Sequence, residues 1–302
     1  MTIVTGFLGS GKTSLINHIA CSEMGRRLAL LVNDFGAVNI DAGLIEKGAG
    51  EIVTLENGCI CCSLSDGLLA GVIRLIGLPE PPERIVIETS GVSDPLEVAH
   101  TFADPELQIH APLDGIVTLV DAETAPTLDG EIRELARRQV EAADIVLLNK
   151  IDIVDAEGLR RARAWLRAIS PSARVHETFG GRAPLELIFG GAGAAAGAPG
   201  RYASAPASDL FESFVFESAT PLALADVQDT LAALPVSIYR VKGLLNLREK
   251  PEHRCWLQAT GRRAALTVGD AWGDTPSKSQ IVFIGARGGV DGRQLTKWLT
   301  GR

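Results

Sequence analysis

The stretch Gly6-Phe7-Leu8-Gly9-Ser10-Gly11-Lys12-Thr13 follows a short apolar run, Ile3-Val4, and precedes a helix-length segment over 13–21. This spacing of glycines, lysine and hydroxyl reads as a phosphate-binding loop, set where such a loop belongs, between a strand and a helix. Glycine reaches backbone dihedrals closed to other residues, so several N–H groups can turn onto phosphate oxygens, and the helix adds the positive end of its dipole. Lys12 is expected to reach the β- and γ-phosphates, and Thr13 puts a hydroxyl where Mg2+ takes an oxygen ligand. Gly6, Gly9, Ser10, Gly11 and Ser14 complete the expected nucleotide-binding stretch.

Asn149-Lys150-Ile151-Asp152 follows the apolar run 145–148. A carboxylate just past a strand end can accept two hydrogen bonds from the N1–H and N2–H2 edge of guanine, a pair of donors that adenine lacks. Facing adenine, that carboxylate would lose about 1–3 kcal/mol for each unmade bond. GTP is therefore the expected nucleotide. A second reading stays open, in which Asp152 or Asp155 caps the helix that follows.

Glu88-Thr89-Ser90-Gly91 closes the run 85–87. A carboxylate at a strand's carboxyl end, in a sheet that carries a phosphate loop, is placed to hold a Mg2+-bound water, with the Gly91 amide sensing the γ-phosphate. Asn33-Asp34-Phe35-Gly36 stands in the same relation to the run 28–32, so Asp34 is a candidate switch residue near Mg2+ or the attacking water. Lys12, Thr13, Asp34 and Glu88 form the expected catalytic set.

Glu56-Asn57-Gly58-Cys59-Ile60-Cys61-Cys62 puts three thiols within four residues. In an extended segment Cys59 and Cys61 share one face and Cys62 the other, so a turn must bring them together. Thiolates suit Zn2+ in tetrahedral geometry at about 2.3 Å, with a fourth ligand from Glu56, Asp34, Asp41, a histidine or water. Three protein ligands and an open position suit transfer of an ion rather than storage. A redox pair at Cys61 and Cys62, and inert buried thiols, stay open as alternatives. Cys21 and Cys255 read as small buried groups, His18 as a packing residue, and Arg160-Arg161-Ala162-Arg163 as the solvated face of a helix.

These residues need a scaffold, and the chain supplies one. Apolar β-branched runs at 28–32, 85–87, 116–120 and 145–148 alternate with helix-length segments at 13–21, 68–76, 131–143 and 158–169. That order predicts a mostly parallel α/β sheet covered on both faces. A Gly/Ala-rich stretch over 190–208 has nothing large to bury and reads as a linker. Beyond it, strand-like runs at 211–216, 238–241, 255–259, 265–268 and 281–284, with helices at 224–234 and 294–299, predict a smaller α+β domain. The expected domains are 1–189 and 209–302.

Of 302 residues, 46% are hydrophobic and 5% aromatic, ordinary globular usage that leaves disorder and coiled coil without support. The net charge of −8 repels phosphate backbones and anionic lipid, so neither nucleic acid nor membrane is an expected partner. No basic start or apolar leader precedes Ile3, and no run nears about 18 apolar residues, so the cytoplasm is expected. Five cysteines, an odd number with three clustered, point to thiol or metal chemistry rather than a disulfide framework.

Together the phosphate loop, Glu88–Gly91, Asn149–Asp152 and Cys59-Ile60-Cys61-Cys62 resemble the CobW family of metal-binding P-loop GTPases. Asn39-Ile40-Asp41, Ser93-Asp94-Pro95 and Tyr239-Arg240-Val241-Lys242-Gly243 extend the likeness over most of the chain. The resemblance implies a P-loop fold with a CobW-type C-terminal domain, GTP, Mg2+, and a metal, zinc or cobalt, held by Cys59, Cys61 and Cys62 and delivered to a client metalloprotein. Two departures stand out: the Gly/Ala tract replaces a histidine-rich stretch common in relatives, and Asp34 with Ala37 replaces glutamates. A docking or maturation factor with structural cysteines, similar to nitrile hydratase activators or cobalamin-pathway proteins, is the alternative.

Overall fold

The structure, a computed structural model, describes residues 1–22, 27–32, 51–54, 63–103, 105–189, 211–260, 263–273 and 275–301. They form two compact units, Met1–Ala183 and Pro184–Arg302. The 190–208 stretch lies outside the described residues.

Among the described residues the first unit holds seven strands: β1 (Thr2–Gly6), β2 (Leu28–Val32), β3 (Glu51–Thr54), β4 (Arg84–Glu88), β5 (Gly115–Asp121), β6 (Ile145–Asn149) and β7 (Val175–Glu177). They pair in the order β3-β2-β4-β1-β5-β6-β7, every pair parallel. β1, β2, β5 and β6 are buried at every residue, which is why their sequences run continuously apolar instead of alternating. The described helices are α1 (Lys12–Ser22), α2 (Ser63–Ile76), α3 (Pro95–Thr101), α4 (Pro105–His110), α5 (Gly130–Glu141) and α6 (Ala156–Ile169). Leu68, Val72 and Leu75 of α2 pack with Phe102, Ile3, Leu31 and Ile87 in one core. Ala136 and Val140 of α5 and Ala162, Trp165 and Leu166 of α6 pack with Val146 and Leu148 in another. The expected parallel α/β sheet is thus present. The short elements β3, β7, α3 and α4 go beyond the expectation, being too brief to show a period of 2 or 3.6 residues.

The second unit is one antiparallel sheet with helices. Its strands β8 (Phe211–Ser218), β9 (Ile238–Leu247), β10 (Lys250–Thr260), β11 (Arg263–Ala271) and β12 (Ser279–Ala286) pair in the order β11-β10-β9-β12-β8. Its helices are α7 (Leu185–Phe189), α8 (Leu224–Ala232) and α9 (Gly292–Leu299). Phe216, Val241, Leu245, Leu257 and Phe283 from the strands meet Val227, Leu295 and Leu299 from α8 and α9 in its core. The α+β prediction holds. Ala223, at the N-cap of α8, brings no side-chain acceptor, and the Glu249 carboxylate accepts from the Leu224 N–H instead, at 3.0 and 3.1 Å.

Two side expectations divide. Cys255 is buried and its thiol is pushed up by burial, but Cys21 is exposed, correcting the sequence reading. The buried stripe of α1 is Lys12, Leu15, Ile16, Ile19 and Ala20, and Cys21, about 100° further round, turns to solvent. Arg160, Arg161 and Arg163 are exposed as expected, pairing with Glu157 and Glu177.

Candidate functional site

The site forms at the carboxyl ends of β1, β4, β5 and β6, where an open parallel sheet presents its loops. Register sets the layout: Gly6 lies opposite Leu119, Val4 opposite Glu88, and Asp121 opposite Asn149. β1 sits centrally between β4 and β5, so the loops after both flank the one after β1.

The loop from Gly6 to Thr13 is held from several sides. Gly6, Gly9 and Gly11 have φ of +139°, +74° and +100°, conformations that L side chains rarely adopt. A Cβ on Gly6 would stand 2.3 Å from the Leu119 carbonyl oxygen, and one on Gly11 would stand 2.3 Å from Asn149 Nδ2. A Cβ on Gly9 would meet nothing within 4 Å, so the loop is open there and crowded at its two ends. Lys12 Nζ curls back to donate to the Gly6 and Phe7 carbonyls at 3.0 and 3.3 Å. Ser10 Oγ is buried in the loop with no hydrogen bond among the described residues, a donor suited to an anion. Thr13 is half-buried and Ser14 exposed at the helix start.

Asn149 bridges this loop to its neighbours. Its Nδ2 donates to the Ser10 carbonyl at 2.9 Å, and its Oδ1 accepts from the Gly181 N–H at 3.1 Å. Gly181 has φ +67° and lies so near α1 that a Cβ would be 2.6 Å from the Leu15 nitrogen. Lys150 is at φ +62°, and its ammonium donates to Asp121 Oδ2 at 2.7 Å. Asp121 Oδ1 accepts from the Glu123 and Thr124 amides at 2.8 and 3.2 Å. Burial raises the Asp121 carboxyl, but the Lys150 hydrogen bond and charge with those two amides outweigh it and hold it below its ordinary value. The helix cap after this motif is Asp155, which accepts from the Gly158 N–H at 2.7 Å. Asp152 is exposed in the turn before it and does not cap, so the open alternative falls on Asp155 alone.

Glu88 is buried at the end of β4. Thr89 ties the next residue back to β1, its N–H donating to the Val4 carbonyl at 3.0 Å and its hydroxyl to Thr5 Oγ1 at 2.8 Å. Gly91 abuts the phosphate loop, where a Cβ would be 2.6 Å from Leu8 Cδ2 and 2.9 Å from the Leu8 nitrogen.

The structure therefore brings together Gly6, Gly9, Ser10, Gly11, Lys12, Thr13, Ser14, Glu88, Gly91, Asn149 and Lys150 around one rim, with Asp152 exposed in the turn that follows Lys150. Asp34, Cys59, Cys61 and Cys62 lie outside the described residues, as do Glu56 and Asp41. Sequence reasoning missed Asp121, Gly181 and Gln139. Asp121 had a usable sign, being a carboxylate ending an apolar run like Glu88, whereas Gly181 and Gln139 are placed only by tertiary contact. His18 is a packing residue as expected, with Nε2 donating to the Ala183 carbonyl at 2.9 Å. Among the described residues no helix is long and apolar enough to cross a membrane.

Comparison with known proteins gives two family matches. Residues 1–177 match the family described as CobW/HypB/UreG, nucleotide-binding domain, and residues 211–301 match the cobalamin synthesis protein cobW C-terminal domain. A zinc chaperone CobW from Sinorhizobium sp is 30% identical over 327 residues, covering 94% of this chain and 92% of the relative. The zinc chaperone YjiA of Escherichia coli is 33% identical over 301 residues, covering 94% and 93%. A crystal structure of Zn(II)-bound YjiA GTPase from E. coli overlays with a TM-score of 0.49 at 26% identity, covering 99% of this chain and 97% of that one.

Proposed function

This chain belongs to the CobW/HypB/UreG family, and on that premise we propose that it hydrolyses GTP to control the capture and delivery of zinc to a client metalloprotein. The chain is a P-loop GTPase with the two family domains. The observation that carries the reading is the rim itself: three left-handed glycines around Lys12, with the Asn149 amide bonded to the Ser10 carbonyl of the same loop. Phosphate and guanine motifs far apart in sequence thereby share one framework.

The loop's amides and the Lys12 ammonium bind the phosphates, at the amino end of α1 where the helix dipole favours anions. Lys12 exchanges its two carbonyl partners for phosphate oxygens, so its charge is positioned before the ligand arrives. Asp152 accepts from the guanine edge, and the Asn149 amide together with the Lys150–Asp121 pair fixes the loop that bears it. The donor set fits Mg2+: a half-buried hydroxyl on Thr13 and a buried carboxylate on Glu88 are hard oxygen ligands close to the loop. When bound, the ion would neutralise charge on the transferring phosphoryl group. The Gly91 amide is the candidate sensor of the third phosphate.

Zinc is the proposed cargo on three grounds: the thiols of Cys59, Cys61 and Cys62, the softness of thiolate ligands, and the zinc-chaperone relatives. The cysteines lie in sequence between Asp34 and Glu88, so loops that respond to the γ-phosphate flank the thiol segment. Free thiols of this kind suit the reducing cytoplasm.

The test is zinc affinity of the protein in nucleotide-free, GTP-analogue and GDP forms, beside a Cys59→Ser/Cys61→Ser/Cys62→Ser variant. The reading expects thiol-dependent zinc whose affinity differs between the triphosphate and diphosphate forms, and faster hydrolysis of GTP than ATP. Identical zinc affinity in all three forms would end it, and cobalt binding in preference to zinc would correct the cargo.

A further inference from the structure

Gln139, in the last turn of α5, is 1% exposed, and burying a side-chain amide is unfavourable unless its hydrogen bonds are made. Its Nε2 donates to two backbone carbonyls of one loop, Gly91 and Ser93, each at 3.1 Å. Both amide hydrogens are thereby spent on the loop that follows Glu88. The neighbouring Arg138 reaches the same loop, with Nε 3.3 Å from the Asp94 carboxylate that caps α3.

The helix that holds the loop is itself fixed. The Gln139 carbonyl accepts from Thr118 Oγ1 of β5 at 2.9 Å, and Ala136 and Val140 are buried in the core with α6 and β6. On the opposite side Gly91 stands against Leu8 of the phosphate loop, too near for a Cβ. Gly91 is thus clamped between a rigid helix and the phosphate loop. The two 3.1 Å bonds fall on either side of Val92, so the loop is held at two points rather than one. Filling space beside the loop would not require an amide, since Met or Leu packs as well.

Resting on the GTPase reading above, we propose that Gln139 is a positioning residue that sets the Gly91 amide at the height of the third phosphate, so that it governs discrimination between GTP and GDP without touching either. The first two phosphates are served by the loop from Gly6 to Thr13, to which Gln139 makes no hydrogen bond, so diphosphate binding should change far less than triphosphate binding. A Gln139→Met variant keeps the length and volume of the side chain and removes the two donors. Gln139→Glu sets a carboxylate against two carbonyl oxygens and should act in the same direction more strongly.

Two measurements test this. Amide hydrogen exchange of segment 89–94 in nucleotide-free protein should quicken about tenfold in Gln139→Met, as a locally anchored loop gains freedom. Binding of a non-hydrolysable GTP analogue should weaken by about tenfold, the worth of one to two lost hydrogen bonds, while GDP affinity stays within about twofold. Equal weakening of both nucleotides, or unchanged exchange over 89–94, would overturn the proposal. Should Gln139→Met fail to fold, Gln139→Asn keeps an amide but draws it back by one methylene from the Gly91 and Ser93 carbonyls, and should lower the ratio of GTP-analogue to GDP affinity in the same direction; an unchanged ratio there would overturn the proposal as well. If the wild type bound neither nucleotide, the GTPase reading itself would fall, whereas if it bound both and Gln139→Met weakened them alike, only the present inference would.

Discussion

Lys150 donates to Asp121 at 2.7 Å while its own backbone sits at φ +62°. A left-handed conformation costs a non-glycine residue about 1–2 kcal/mol, so something must hold it there. The buried Asp121 does, fixed in turn by two amides of the turn after β5. The pair joins the ends of β5 and β6, which lie in direct register at Asp121 and Asn149. What fixes the Asn149–Asp152 stretch is thus a carboxylate from the neighbouring strand.

The pair should show in the pH dependence of stability. Asp121 is held below its ordinary value in the folded state, so its contribution is present above the unfolded carboxylate value of about 3.9 and is lost as pH falls through the lowered folded value. Unfolding free energy of the wild type minus that of Asp121→Asn should be constant from about pH 8 to pH 5 and shrink below about pH 4. Urea unfolding at several pH values measures it. A difference that grew on acidification would reverse the assignment.

Asn149 serves both the phosphate loop and Gly181, so Asn149→Ala should orphan the Ser10 carbonyl and the Gly181 N–H together. Each buried group left unpaired costs about 1–3 kcal/mol. The expected result is a stability loss of that order and nucleotide affinity lowered at least tenfold. Asn149→Asp keeps the acceptor for Gly181 but sets a carboxylate oxygen against the buried Ser10 carbonyl, so it should lose at least as much as Asn149→Ala. Denaturation and nucleotide titration on the same three proteins check the order.

Much of this site was legible in the sequence because local chemistry and chain order specify it. A glycine-rich loop after a β-branched run, and a carboxylate or amide just past later runs, all fall at one end of a parallel sheet once the strands are paired. Gly6, Lys12, Glu88, Asn149 and Asp152 followed from that rule. Gln139 and Gly181 did not, since a glutamine on an amphipathic helix reads as solvated, and only the fold shows that it turns to Gly91. Cys21 failed for the opposite reason: residue type suggests burial, but its angular position on α1, set by the stripe of Leu15, Ile16 and Ile19, turns it outward. The strands of the second unit were readable as short strand-like runs. The cap on α8 was not, because Glu249 lies 25 residues from the amide it satisfies.

Exposed Asp152 offers two acceptors, which match the N1–H and N2–H2 donors of guanine. Xanthine carries a carbonyl at C2 in place of the amine, so an amide side chain with one acceptor and one donor suits it better. Asp152→Asn should weaken GTP by at least tenfold and bring xanthosine triphosphate to comparable or tighter affinity, with little change in stability at an exposed turn position. Equal loss of both nucleotides would mean that Asp152 shapes the loop and does not read the base.

Gly91 against Leu8 allows a sharper test of how the two loops meet. Gly91→Ala would set a Cβ 2.6 Å from Leu8 Cδ2 and 2.9 Å from the Leu8 nitrogen, so one obstruction is a movable side chain and the other is backbone. Overpacking of this kind costs about 1–3 kcal/mol. Leu8 is 56% exposed, so Leu8→Ala alone should change stability by less than about 0.5 kcal/mol. In the double variant the side-chain clash is gone and the backbone clash remains. Leu8→Ala should therefore restore part, but not all, of the loss caused by Gly91→Ala, in stability and in GTP-analogue affinity alike. Strict additivity of the two changes would mean that the loops do not touch, and full rescue would mean that the phosphate loop's backbone yields where the structure has it held by Asn149.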